Sequence, residues 1–198
     1  MADAAPAPPL LLASRSPQRR AILEQLGIPF DVVAPRYEEQ PEQGVDAVDL
    51  VRAHARAKAL SVVRDSDERP VLGVDTEVVL DGRIYGKPND ATDAEVMLEE
   101  LAGKTHLVMS GLCLVTPGWE VVEHESTRVT FRPLTPRDLA AYIATGEWEG
   151  RAGAYAIQGL GASLVERVEG DYLNVVGLPG SLLVRLLATR FAGVYGFG

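Results

Sequence analysis

Residues 71–80 form an apolar run that reads as a strand, yet its middle carries Asp75, Thr76 and Glu77. Strand alternation puts Asp75 and Glu77 on one face and Val74, Thr76 and Val78 on the other. A carboxylate in an apolar strand costs desolvation energy unless a cation or a hydrogen-bond donor meets it. A divalent metal, or a water awaiting deprotonation, would meet that need at Asp75. For Glu77 the expectation is an exposed sheet face. Asp81-Gly82 marks a hairpin turn into residues 83–86, and Gly86-Lys87-Pro88 then holds a lysine whose compact ammonium can reach a phosphate.

The rest of the chain alternates helices and strands irregularly, which predicts an α/β fold with a mixed β-sheet and flanking helices. Residues 10–13 suit a buried strand. Ser16-Pro17 opens a helix as N-cap and first helical residue, with Gly27 as its stop. A strand over 29–34 and a helix over 46–63 follow. The apolar stripe of that helix is Val48, Val51, Ala55, Ala59 and Val62, and Lys58 lies on its edge. Thr92-x-x-Glu95 reads as a capping box for a helix that ends at Gly103. Two β-rich stretches, near 105–116 and 120–132, meet at Pro117-Gly118. Thr135-Pro136 starts a helix, 153–176 reads as short strands punctuated by glycines, and 178–187 closes as a helix. Residues 1–8 are expected to be a frayed leader, with 9–198 forming a single two-lobed domain.

With 46 % hydrophobic and 24 % charged residues the chain has an ordinary globular composition. No run of 18 apolar residues is present, so no membrane partner is expected. The formal charge of −9 opposes binding to nucleic acid, which requires phosphates to be neutralised. Asp3 and the lack of a basic n-region argue against a secretory signal. The single cysteine, Cys113, allows no internal disulfide and suits a reducing, cytoplasmic setting; its apolar neighbours make it a small hydrophobe rather than a nucleophile.

The first helix breaks a local rule. Arg19 and Arg20 sit in its opening turn, where the macrodipole favours acids. An anion bound by Ser14-Arg15-Ser16-Pro17-Gln18-Arg19 would resolve the conflict, as free amides and guanidinium groups would converge on it. Simple solvation of the arginines is the alternative. Glu38 and Glu39 offer further carboxylates, more often solvated than not. His54, His106 and His124 lack metal-ligand spacing and read as ordinary surface or partly buried residues.

Taken together, LLLASRSPQRRAILEQLGIPF, GVDTEVVLDGRIYGKPND and GAYAIQGLGASLVERVEGDYLNVVGLPG resemble the Maf family of nucleoside triphosphate pyrophosphatases, from Leu10 to about Leu187. The resemblance implies an inosine-triphosphatase-like (Maf/Ham1-like) fold with a central cleft. It also implies hydrolysis of the α–β bond of a nucleotide to a monophosphate and pyrophosphate, with a divalent metal cation (Mg²⁺ or Mn²⁺). Ser14, Ser16 and Arg19 would hold the phosphates with Lys58 and Lys87. Asp75 would be the general base, and Glu39 with Asp75 would face the metal. Thr76 and Gln158 match the branch acting on dTTP and UTP, whereas the branch acting on 7-methyl-GTP carries D-Q and a glutamate at these places. Gln18 departs from the S-P-R-R usual in the first branch, and Glu77 stands where an apolar residue is usual. A nucleotide-binding regulator of septum formation without turnover is the alternative function. The apolar tail over 191–197 suggests a docking surface, hence a possible homodimer.

Overall fold

The computed structural model describes residues 7–39 and 44–198. Its elements in chain order are β1 (Leu10–Ala13), α1 (Pro17–Gln25), β2 (Phe30–Val33), α2 (Ala47–Leu60), β3 (Val71–Leu80), β4 (Arg83–Tyr85) and α3 (Ala91–Leu101). They continue with β5 (Thr105–Thr116), β6 (Trp119–Phe131), α4 (Pro136–Ile143), β7 (Val165–Glu169), α5 (Tyr172–Val176) and α6 (Gly180–Arg190). The strands make one mixed sheet in the order β2-β1-β3-β5-β6-β7, with β4 also paired to β3. β1 is parallel to β2 and β3, and the remaining pairings are antiparallel.

Strand β3 is where the architecture makes room for a site. One of its edges is covered by β5 from Val71 to Val79. On the other edge β1 reaches only to Gly73, and β4 begins only at Val78. Residues 74–77 therefore have an open edge, and a side chain on either face can reach the gap. Alternation sorts what surrounds it. Leu72 and Val74 pack with Leu10, Leu12 and the apolar sides of α1 and α6, whereas Val71 packs with Ala55, Ala59 and Val62 around α2. Beyond the gap, Val78 and Leu80 join a further cluster with α3 and α4.

Two glycines set how closely α2 lies on the sheet. A Cβ at Gly73 would sit 2.2 Å from the Ala55 carbonyl oxygen, and one at Gly111 only a short distance from that of Val51. No larger residue fits at either place without moving the helix. The close approach carries His54 and Lys58, one turn apart on α2, directly over Asp75, whose partner on β5 is Gly111.

Four expectations need correction. The N-cap of α3 is Asp90, which accepts from the Asp93 backbone N–H; Thr92 lies inside the helix, so the capping box is not used. The segment 153–176 holds one strand, β7, together with 3-10 turns and the helix α5. Asp171 nucleates α5 by accepting from Leu173 and Asn174, and its other oxygen accepts from Ser181 at the start of α6. The leader is anchored at its last two residues, because Ala7 packs on the core and the Pro8 carbonyl accepts from Tyr195; residues 1–6 lie outside the described part. The apolar tail folds on its own chain: Phe191, Tyr195 and Phe197 pack against the first cluster, and the Phe191 ring meets both Trp119 and Tyr195. That removes the ground on which a docking surface was expected. Among the described residues, no helix is long and apolar enough to cross a membrane.

Candidate active site

The gap beside residues 74–77 opens into a cavity of about 840 Å³. All ten residues to which the family resemblance gives a role line it: Ser14, Ser16, Gln18, Arg19, Glu39, Lys58, Asp75, Thr76, Lys87 and Gln158. Arg20 and Glu38 do not line it and are exposed. Arg20 follows Arg19 by one position and so leaves the helix in a different direction.

On the α2 side Asp75 is 3 % exposed. Its Oδ1 accepts from Lys58 Nζ at 2.5 Å, and the same ammonium lies 2.5 Å from Glu39 Oε1. Lys87 approaches the other Glu39 oxygen at 3.7 Å. Asp75 Oδ2 lies 3.3 Å from His54 Nδ1, an ion-pair distance that makes no hydrogen bond. Burial opposes ionisation of Asp75, but His54, Lys58 and Arg19 outweigh it and hold the carboxyl well below the usual carboxylate range. Glu39 is also lowered, because Lys58 outweighs its partial burial.

On the opposite face the opening of α1 is organised around Arg19. Ser16 caps the helix by accepting from the Arg19 N–H at 3.4 Å, and its own hydroxyl donates to Gln18 Oε1 at 3.0 Å. The guanidinium turns inward, donating to the Gly177 carbonyl at 2.9 Å, to Thr76 Oγ1 at 3.2 Å and to Ser14 Oγ at 3.4 Å. Gly177 has φ +131, a conformation that favours glycine, and it ends α5 so that its carbonyl faces Arg19. The Thr76 hydroxyl also meets Ser110 at 2.9 Å. It is thus engaged in fixing Arg19 rather than free to face a ligand.

Two residues were misjudged from sequence. Glu77 is not on an exposed face; it lines the cavity, and its Oε2 is buried with no hydrogen-bond partner among the described residues. Burial, followed by repulsion from Asp75 and Glu39, pushes its pKa up to about 8. The cause is the return of the chain through β4, which lays Gly86 over the carboxylate. His54 is 3 % exposed, edge-on to Tyr37, and faces Asp75, whose carboxylate is the largest cause of a raised histidine pKa. Its signal was available, since His54 precedes Lys58 by four residues and shares its helix face. Arg151 was also missed: it lines the cavity, and its Nε is buried without a hydrogen-bond partner among the described residues.

The other candidates stay outside the chemistry. His106 is buried, with Nε2 2.9 Å from the Tyr155 hydroxyl, and burial lowers its pKa to about 4. His124 is exposed. Cys113 is fully buried in the cluster under α2, and burial pushes its thiol up to about 12.

The protein is thus an α/β protein with a mixed sheet, whose open strand edge carries Asp75 and Glu77 and faces, across one cavity, a helix start lined with serine and arginine. The sequence matches the family described as Maf-like protein over residues 9–190, and the chain belongs to that family. A relative from Nitratidesulfovibrio vulgaris, named dTTP/UTP pyrophosphatase, is 50 % identical over 186 residues, covering 93 % of this chain and 89 % of that protein. Relatives of the same name from Gloeobacter violaceus and Moorella thermoacetica are 49 % and 47 % identical, over 90 % and 94 % of this chain and 94 % and 97 % of their own. The solved structure of the Staphylococcus aureus Ham1 protein overlaps 63 % of this chain and 72 % of its own, with a TM-score of 0.43 and 14 % identity.

Proposed function

We propose that the protein hydrolyses dTTP and UTP between the α- and β-phosphates, releasing the monophosphate and pyrophosphate. The observation that carries this reading is the meeting of Asp75 and Glu39 on one buried ammonium, in a cavity that Arg19 and Lys87 also line. The shared name of the relatives supports the same reading.

Among the described residues, no three His, Cys, Asp or Glu side chains converge closely enough to hold a metal ion by themselves. Two carboxylates are nonetheless the sparse set that magnesium takes when substrate phosphates complete its coordination. Asp75 Oδ2, buried, 3.3 Å from His54 Nδ1 and without a hydrogen bond among the described residues, is the oxygen that would meet such a ligand. Glu39 and Asp75 would therefore hold Mg²⁺ or Mn²⁺, which when bound would polarise the phosphate oxygens and activate a water. Lys58 then exchanges a carboxylate contact for a phosphate contact. Together with Arg19 and Lys87 it offsets the charge of the departing pyrophosphate. Ser14 and Ser16 keep the α1 start and Arg19 in place for the same phosphates.

Gln158 is exposed in the cavity wall, and its amide can donate and accept at once. A pyrimidine edge presents two carbonyl acceptors and one N–H donor, which such an amide matches. Thr76 contributes through Arg19, and Gln18 through Ser16. A cytoplasmic setting fits the buried, unpaired Cys113. The test is to incubate the purified protein with Mg²⁺ and a panel of nucleoside triphosphates and to assay pyrophosphate. The highest kcat/KM is expected for dTTP and UTP. Faster hydrolysis of 7-methyl-GTP would refute the base preference, and no pyrophosphate from any nucleotide would refute the activity.

A further inference from the structure

Gln158 stands at the N-cap position of a short 3-10 helix, Gly159–Leu164. The first N–H groups of such a turn have no partner inside it, and the side chain at the cap position commonly accepts from them. Gln158 makes no such bond. A residue from another segment does it instead. Glu147, in the turn after α4, accepts from the Leu160 N–H through Oε1 and from the Gly161 N–H through Oε2, each at 3.0 Å.

The surroundings are shaped for this carboxylate. Gly159 has φ +67, and a Cβ there would come within 2.5 Å of Glu147 Oε1. The positive φ favours glycine, and any side chain there would push the glutamate away. Glu147 is itself held, as its N–H donates to Thr145 Oγ1 at 3.1 Å. Upstream of Gln158, the Ala156 N–H donates to the Tyr142 hydroxyl at 2.9 Å. The segment 156–161 is thus fixed on both sides of Gln158 by groups from α4 and its following turn. Between them the glutamine amide is left without a partner among the described residues.

We propose that Glu147 is a positioning residue for substrate selection. By capping the 159–164 turn in place of Gln158, it leaves the glutamine amide free for the base and fixes the backbone from which that amide projects. The proposal rests on the reading that Gln158 meets the pyrimidine edge.

A double-mutant cycle tests it, with kcat/KM for dTTP and for 7-methyl-GTP measured in the unmodified protein, Glu147→Ala, Gln158→Ala and the double variant. Glu147→Ala is expected to lower the dTTP to 7-methyl-GTP ratio by about tenfold, as far as Gln158→Ala does, since an unmade hydrogen bond to the base is of that size. The double variant should be no worse than Gln158→Ala alone, because the two act through one contact. Glu147→Gln keeps one acceptor oxygen; it should fall between, and it carries the same comparison if the alanine variant does not fold. An equal loss for both nucleotides, or an effect of Glu147→Ala undiminished in the Gln158→Ala background, would show that the glutamate only braces the loop. If Gln158→Ala leaves the ratio unchanged, the reading of Gln158 itself fails, and Glu147 has nothing to position.

Discussion

Replacing Lys58 with methionine keeps a stem of similar reach between α2 and β3 but removes the ammonium that lies 2.5 Å from both Asp75 and Glu39. The side chains of Lys58 and Asp75 are 8 % and 4 % exposed, so water cannot replace the lost charge. Breaking a buried ion pair from one side costs about 3–5 kcal/mol. His54 and Arg19 still favour the ionised carboxylate, which places the expected loss at the lower end, about 3 kcal/mol at pH 7. With a urea slope of about 2 kcal/mol/M, the unfolding midpoint should fall by about 1.5 M. The pH dependence has a definite sign. The folded pKa of Asp75 lies below its ordinary value of 3.8, so in the unmodified protein its contribution is present above that value and is lost as the pH falls below it. Without Lys58 the buried carboxyl takes up a proton at a higher pH, which relieves the penalty. The difference between the two proteins should therefore be smaller at pH 3 than at pH 7. Urea denaturation at the two pH values measures it. A loss of equal size at both, or one below about 0.5 kcal/mol at pH 7, would refute the reasoning.

Asp75→Asn keeps the shape of the side chain and removes its charge; kcat for pyrophosphate release should fall by about 10²–10⁴ in a protein whose circular dichroism is unchanged. Gly73→Ala would place a methyl group 2.2 Å from the Ala55 carbonyl oxygen. Shifting α2 to admit it should cost about 1–3 kcal/mol and lower Tm in calorimetry, with activity falling because His54 and Lys58 move with the helix. Cys113 is buried and its thiol is pushed up to about 12; mass spectrometry should find it unalkylated by iodoacetamide at pH 8 until the chain is unfolded.

Strand β3, its hairpin, the capped start of α1 and the apolar stripe of α2 were legible in the sequence because each rests on a local signal: alternation, Asp-Gly, Ser-Pro, 3.6-residue spacing. Asp75, Lys87 and the Ser14–Arg19 loop were legible from local signals, whereas Gln158 was tied to them only by the family resemblance, since no local rule brings Gln158 to Ser14. What escaped was set by tertiary contact. The environment of Glu77 depends on the return of β4 over it, and that of His54 on the depth to which Gly73 and Gly111 admit α2. The helix α5 was hidden in a glycine-punctuated stretch, although Asp171 followed by five residues free of glycine and proline marked its start. At α3 the cap is Asp90, two residues before the expected Thr92; aspartate is the stronger N-cap and accepts from the Asp93 N–H.

The central claim is that water attacks the α-phosphorus of a nucleotide held between Asp75, Glu39, Lys58 and Lys87 on the α2 side and Arg19 on the opposite face. Hydrolysis of dTTP with Mg²⁺ in ¹⁸O-labelled water tests it most directly, with both products read by mass spectrometry. Attack at the α-phosphorus puts the label in thymidine monophosphate and leaves pyrophosphate unlabelled, which is the expected result. Label in pyrophosphate, or the appearance of a diphosphate with labelled orthophosphate, would contradict it.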